Sequence, residues 1–113
     1  MLFRSLCDVS GKGLNAGLIS VAVSSMYAAY DFDKGIHGLV QKINSFIYNL
    51  FSGEIFLTGV FIDLDESTGT SAIYDMGHSM IYLLKYKKAA GFENDNNNFP
   101  LGIQKDKIGR AHV

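Results

Sequence analysis

The sequence is poor in cysteine and has no block of like charge. Cys7 is the only cysteine among 113 residues, so the chain has neither an internal disulfide framework nor a zinc site built from several cysteines. Ten Lys and Arg stand against eleven Asp and Glu, for a formal net charge of −1, and like charges form no long run. A nucleic-acid partner or direct contact with an anionic membrane is therefore not expected.

The sequence also lacks the pattern of a leader or a membrane anchor. A leader needs a basic start followed by roughly 7–15 apolar residues, but Arg4 and Asp8 interrupt the apolar residues near the start. The longest apolar tract, residues 18–29, is broken by serines and falls short of the roughly 20 residues of a membrane span. We therefore predict a soluble chain and, as the simplest location, the cytoplasm.

Enough apolar residues are present for one folded domain. Hydrophobic residues make up 48% of the chain, and a chain of this length buries about 65% of its unfolded surface. Residues 2–7 read as a strand that runs into a glycine turn. Residues 14–29 and 35–51 follow the helical period, with Asp31 or Asp33 placed to cap the second helix. Small side chains would let the first helix lie close to a neighbouring layer.

The second half of the chain alternates with a period of two. Residues 57–64, 70–76 and 80–86 read as three strands of an antiparallel meander, because their connections are too short for helical crossovers. Residues 87–98 read as a polar loop. The order β-α-α-β-β-β indicates an α+β fold, with both helices packed on one face of an antiparallel sheet. The helical period predicts joint burial of Leu39, Ile43, Phe46 and Leu50.

A turn at residues 8–13, DVSGKG, lies between the first strand and the first helix. Its glycine spacing fits neither a P-loop nor the dinucleotide-binding fingerprint, which disfavours nucleotide binding. A carboxylate beside exposed turn carbonyls is half a site for a hard divalent cation, which prefers oxygen ligands. Asp8 could instead cap the following helix or stiffen the turn, and its spacing alone favours that structural role.

Three segments together resemble the SpoIIE-type serine phosphatases, a branch of the metal-dependent PPM protein phosphatases. Residues 8–19, DVSGKGLNAGLI, resemble the family's D-V-S-G-[HK]-G-x-x-A-A-L segment. Residues 56–65, the TG at 68–69 and the YDMGH at 74–78 resemble a second block, in which the family has Asn where this chain has Asp75. Residues 99–103, FPLGI, resemble its l-P-L-G. The resemblance covers roughly residues 2–103 and implies a partial α-β-β-α sandwich.

The resemblance also implies a chemistry. Two Mn²⁺ or Mg²⁺ ions in that family activate a water for attack on phosphoserine. It assigns Asp8 as a metal ligand through its carboxylate and Val9 as one through its backbone carbonyl, while Gly11 and Gly13 hold the turn open. His78 is either a structural turn residue or lies on the phosphate side of the site. The implied substrate is a phosphorylated regulatory protein, such as an anti-anti-sigma factor of the STAS type, in a bacterial signalling switch that controls a sigma factor.

The resemblance predicts that the domain is truncated at both ends. The family's other metal-binding motifs would lie before Met1 and after Gly102, so residues 1–107 are expected to be part of a domain. Residues 108–113, IGRAHV, read like a translated sequencing adapter and are predicted to be a non-native tail. Missing strands would leave a sheet edge unpaired, which favours association and is compatible with a homodimer.

Two functions remain open at this point. One is a metal-dependent protein-serine phosphatase, of which this fragment alone would be inactive. The other is a non-catalytic module of the same fold that binds a partner protein.

Overall fold

The structure is a computed structural model that describes residues 2–11, 13–77, 82–85, 88–91, 100–102 and 105. The elements are, in chain order, β1 (Leu2–Val9), α1 (Leu14–Ala29), a 3-10 turn (Phe32–Lys34), α2 (Ile36–Phe51), β2 (Leu57–Asp65), β3 (Thr70–Met76), β4 (Tyr82–Lys85) and β5 (Lys88–Gly91). Both predicted helices and the predicted strands at 57–64 and 70–76 are therefore present within a residue of their expected ends.

β2 is the central strand of a three-stranded antiparallel sheet, with β1 on one side and β3 on the other. Cys7 of β1 lies opposite Gly59 of β2, and Phe61 of β2 lies opposite Tyr74 of β3. Both helices pack on the same face of this sheet. The predicted α+β architecture is confirmed, and the structure adds that β1 pairs with β2.

The predicted third strand of the meander pairs differently. β4 forms a two-stranded antiparallel sheet with β5, which lies in the segment predicted as a loop. Only two residues separate β4 from β5, a connection typical of a tight hairpin. Alternation of apolar residues predicts a strand but not the strand with which it pairs. Here β4 pairs with β5, the next strand in the sequence. The remaining residues of that prediction, 80, 81 and 86, lie outside the described residues.

The inner face of α2 forms the centre of the core. Its buried apolar residues follow the helical period and pack on Phe61 and Leu57 of β2; they are Ile36, Leu39, Val40, Ile43 and Ile47. Phe46 is only half-buried, and the predicted burial of Leu50 is wrong, since its side chain is 59% exposed. The helical period gives the angle of a side chain around the axis. It does not give how far the neighbouring layer extends along that axis.

The cap of α2 also differs from the prediction. Asp31 accepts a hydrogen bond from the Asp33 N–H at 3.1 Å and so caps the short 3-10 turn before the helix. Gly35, with φ of +84°, occupies the N-cap position of α2 itself. The reversal between the two helices therefore depends on a glycine conformation that other residues rarely adopt. At the other end, Ser52 adopts the left-handed conformation and ends the helix after residue 51, where the helical period predicts its end.

Helix α1 contains no charged residue and packs loosely. Only Ile19 and Val23 are buried, while Leu14, Leu18 and Val21 are more than half exposed. A cavity of about 310 Å³ lies between α1 and the sheet, beside the small side chains of the helix. The cavity is lined by Ser5, Cys7, Val9, Ser20, Val23, Ser24, Tyr27 and Leu57. Within the described ranges, no helix is long and apolar enough to cross a membrane.

Asp63 is the polar exception on the helix-facing side of β2. It lies opposite Phe3 of β1 and Ala72 of β3. Its Oδ1 atom is buried and accepts no hydrogen bond from the part of the chain that the structure describes. Burial raises the pKa of the neighbouring Tyr74 phenol, and the negative charge of Asp63 raises it further. Asp63 therefore lowers the stability of the fold at this point, because a buried carboxylate oxygen without a partner is costly.

We expect Asp63→Val to increase the free energy of unfolding by about 1 kcal/mol, the lower end of the cost of an unsatisfied buried acceptor. The pKa of Tyr74 should fall but stay above its ordinary value, because burial remains. Urea unfolding and the tyrosinate absorbance of a pH titration would measure the two effects. Asp65→Val is the matched control with the opposite sign, since Asp65 accepts hydrogen bonds from Ser67 N–H and Oγ. A less stable Asp63→Val protein would contradict this account.

Candidate active site

Residues from the three sequence motifs meet at one edge of the sheet, namely the end where β1 stops and β2 begins. Val9, the last residue of β1, lies opposite Leu57, the first residue of β2. One residue beyond, the Ser10 N–H donates to the Phe56 carbonyl at 2.8 Å, and Ser10 Oγ accepts from the Phe56 N–H at 2.9 Å. On the other side of β2, Leu57 and Leu101 exchange two backbone hydrogen bonds of 2.9 and 2.8 Å. Backbone pairing thus joins all three motifs.

The end of β3 contacts the same region through glycine. Gly77 has φ of +77°, and a Cβ atom built on it would lie 2.6 Å from Cγ of Pro100. The two segments can approach this closely only because residue 77 has no side chain. His78, the next residue, lies outside the described residues, so its predicted role on the phosphate side or in the turn stays a prediction.

Asp8 lies at the end of β1 on the face that the helices leave open. Its neighbours Cys7 and Val9 line the cavity under α1, and successive side chains of a strand point to opposite faces. The side chain of Asp8 is exposed. It is not the cap of α1, because Gly13 occupies the N-cap position and no side chain makes a capping hydrogen bond there. The capping role that spacing favoured is therefore not present, and the carboxylate is accessible to a cation.

The carbonyl of Val9 points outward from the side of β1 that faces away from β2. Both backbone groups of Leu57 bond to Leu101 and not to Val9, so Val9 and Leu57 form a non-hydrogen-bonded pair. The backbone groups of Val9 must then point away from β2, toward the outer edge of β1. No other strand of the described residues pairs with that edge. The carbonyl is therefore placed where an ion bound by Asp8 could also reach it.

The turn after β1 requires glycine for its backbone conformation. Gly11 has φ of +85° and Gly13 has φ of +83°, and a Cβ on either would meet no atom within 4 Å. Conformation, not close packing, is the constraint, as expected for residues that hold a turn open. Lys12 lies between them, outside the described residues.

Asp75 does not join Asp8. Asp75 lies opposite Val60 and shares the helix-free face with Asp8, which lies opposite Thr58. Two inter-strand spacings and two residues along the strand direction separate Asp8 from Asp75, a distance of roughly 12 Å from strand geometry. Asp75 is also only 4% exposed. It cannot share an ion with Asp8, in keeping with its departure from the Asn of the family motif.

Cys7 is a partly buried neighbour of the site. Burial raises the pKa of its thiol to about 11, and this effect outweighs a hydrogen bond with Ser5 that acts in the opposite direction. At neutral pH the group is therefore an uncharged thiol, which is a poor nucleophile and a poor metal ligand. The chemistry available at this edge depends on oxygen atoms.

The donors at this edge fit a hard cation in type but only partly in number. An exposed carboxylate and an outward carbonyl are ligands that Mg²⁺ and Mn²⁺ accept. Mg²⁺ requires an octahedral shell, however, and no group of three or more His, Cys, Asp or Glu side chains that could hold an ion occurs among the residues described. Asp8 and Val9 can therefore supply part of a shell that other ligands must complete.

Sequence reasoning missed Asn44, a buried polar residue of α2. Its amide bonds to the backbone of Gly102, in the third motif, and of Lys105, just after it. One signal was available in the sequence, because Asn44 falls on the apolar face in the middle of a helix, where asparagine is unfavourable unless its side chain is bonded.

Comparison with known proteins agrees with the motifs. The sequence profile described as "Stage II sporulation protein E (SpoIIE)" matches residues 2–113. The chain belongs to the SpoIIE family. The crystal structure of a bacterial serine phosphatase variant superimposes on it with a TM-score of 0.69 and 16% sequence identity, over 97% of this chain and 56% of that one. No curated protein matches the chain.

These matches confirm the resemblance and the fold. At 16% identity the structural match shows the fold alone, and the chain spans 56%, about half, of the length of that phosphatase. The predicted division into residues 1–107 and a tail at 108–113 stays a prediction.

Two glycines of this region should respond oppositely to alanine. Gly11→Ala should destabilise the chain by about 1 kcal/mol, because a left-handed backbone conformation is costly for an L side chain. Gly17→Ala should stabilise by a similar amount, since Gly17 lies inside α1 with open space around its Cβ position. Thermal unfolding of both variants gives the comparison. Equal shifts of the same sign would contradict the turn geometry.

Proposed function

We propose that the chain is part of a metal-dependent protein-serine phosphatase. Membership of the SpoIIE family and the shared fold support a phosphatase-type function. One observation supports the position of the active site above all others. Backbone hydrogen bonds bring the three family motifs together at the sheet edge where the exposed Asp8 lies.

The residues of this chain would hold and orient the reacting groups. Bound Mn²⁺ or Mg²⁺ supplies an activated water and neutralises charge on the phosphoryl oxygens. The Asp8 carboxylate and the Val9 carbonyl would provide two of its ligands. The hydrogen bonds between Ser10 and Phe56 fix the strand end that carries both ligands. The glycine turn leaves the space beside them open to a substrate.

The substrate class follows from the family resemblance. We expect phosphoserine on a regulatory protein, such as an anti-anti-sigma factor of the STAS type in bacterial sigma-factor control. The exposure of Asp8 supports a protein substrate, because a phosphorylated side chain on a folded surface could reach it without entering a deep cavity.

The second candidate is a non-catalytic module that uses the same fold to bind a partner protein. The incomplete donor set favours it, since the described residues include no group of three or more His, Cys, Asp or Glu side chains that could hold an ion. The two candidates differ in what longer forms of the protein should do.

We expect the isolated chain not to hydrolyse a small phosphate ester at any Mn²⁺ concentration, because two-metal hydrolysis needs enough ligands to hold ions roughly 3.5–4 Å apart. A longer protein with the natural flanking residues should recover Mn²⁺-dependent hydrolysis of a phosphoserine protein. The assay compares both proteins at equal Mn²⁺. Clear turnover by the short chain would show that the site is misplaced, and an inactive longer protein would favour the binding module.

In that longer protein, Asp8→Ala should lower Mn²⁺-dependent phosphatase activity at least a hundredfold, with the melting temperature nearly unchanged. The side chain is exposed and caps no helix, so its removal should cost little stability. Glu66→Ala, an exposed carboxylate in the turn between β2 and β3, is the matched control and should keep full activity. Retention of wild-type activity by Asp8→Ala would exclude the ligand role.

A further inference from the structure

Asn44 is a buried amide on the apolar face of α2. Its side chain is 3% exposed, beside Ile43 and Ile47 of the core. A polar group in such surroundings costs free energy unless it is hydrogen-bonded, so its position has to be explained by its partners.

The partners of Asn44 belong to the third motif and the residues just after it. The Gly102 N–H donates to Asn44 Oδ1 at 2.7 Å, and Asn44 Nδ2 donates to the Lys105 carbonyl at 3.0 Å. The amide therefore bonds two backbone groups three residues apart. Gly102 packs so closely that a Cβ there would lie 3.0 Å from the Ile55 carbonyl oxygen and would overlap Ile47.

The segment that Asn44 holds by these two hydrogen bonds is linked to the strand end that carries the metal ligands. Leu101, next to Gly102, exchanges two backbone hydrogen bonds with Leu57 and is 1% exposed. Leu57 in turn lies opposite Val9. Two steps of backbone pairing thus separate Asn44's partner segment from Val9 and Asp8.

We propose that Asn44 is a positioning residue for the metal site. By holding residues 102 and 105 on α2, it keeps Leu101 paired with Leu57 and so fixes the edge from which Asp8 and Val9 project. Metal ligands must be held within about 0.5 Å of their working geometry, and a loosened edge would weaken ion binding before it unfolds the domain. The inference rests on the phosphatase function proposed above.

The test uses the longer natural protein with Asn44→Leu and Asn44→Asp. Leucine keeps the branching at Cγ with somewhat larger methyl groups and removes both hydrogen bonds; aspartate keeps the acceptor for Gly102 and loses the donor to Lys105. Asn49→Leu and Asn49→Asp, on an exposed position of the same helix, are the matched controls. Three quantities are measured: Mn²⁺ binding from the free-ion electron paramagnetic resonance signal, the Mn²⁺ concentration for half-maximal phosphatase activity, and amide hydrogen exchange of residues 101–105.

We expect Asn44→Leu to raise the Mn²⁺ dissociation constant and the half-activating Mn²⁺ concentration at least tenfold. Asn44→Asp should raise both at least threefold, and the activity at saturating Mn²⁺ should stay within twofold of wild type. Exchange at residues 101–105 should accelerate in the same order. The Asn49 variants should match wild type in all three measurements.

The results that would overturn the role of Asn44 differ from those that would overturn the phosphatase function. Folded Asn44 variants with faster exchange and wild-type Mn²⁺ binding would show a purely structural role and overturn the proposal. If Asn44→Leu does not fold, Asn44→Asp decides by the same criterion. A wild-type protein that binds Mn²⁺ without hydrolysing phosphoserine would overturn the phosphatase function, while its Mn²⁺ titration still decides the role of Asn44. A wild-type protein that binds no Mn²⁺ would overturn both.

Discussion

The backbone pairing of Leu57 is the interaction on which the rest of the candidate site depends. Leu57 faces Val9 on one side and exchanges both of its backbone hydrogen bonds with Leu101 on the other. Its side chain is 1% exposed, so burial of apolar surface holds the same residue in place. Because Leu57 bonds to Leu101, the carbonyl of Val9 is left pointing outward. The pairing of Leu57 with Leu101 therefore both joins the motifs and leaves the Val9 carbonyl, a potential ligand, pointing outward.

Of the two helices, α2 gives this strand end the closer support. The buried face of α2 packs on Leu57 and Phe61, and Asn44 extends the same contact to the backbone after Leu101. Helix α1, in contrast, leaves a cavity above Cys7 and Val9. The strand end that carries Asp8 is thus positioned mainly through β2 and α2. Disturbance of those two elements should affect the site more than changes on the exposed face of α1.

The features that could be predicted from the sequence are those that depend on residues close together in the chain. The period of residues 36–47 identified the face of α2 that is buried, and the glycines at 11 and 13 identified a turn, in which the structure gives both a positive φ. The burial of Leu50, the hairpin partner of β4 and the hydrogen bonds of Asn44 could not be predicted in this way. Each depends on which distant segment lies nearby, and a single sequence carries no pairing information. The position of Asp8 after the first strand came from the residue pattern, and its ligand role came from the family resemblance. Its exposure and its freedom from capping came from the structure.

The directions of the two proposed ligand groups define where an ion would lie. The Asp8 side chain points to the helix-free face, and the Val9 carbonyl points in the plane of the sheet beyond β1. An ion bound by both must therefore occupy the corner between that face and that edge. The remaining ligands have to approach from outside the three-stranded sheet, because β2 occupies the other side of β1 and the helices pack on the opposite face. Since a divalent ion replaces its water shell only when several oxygens converge, binding at this corner should become tight only after those other segments have assembled around it.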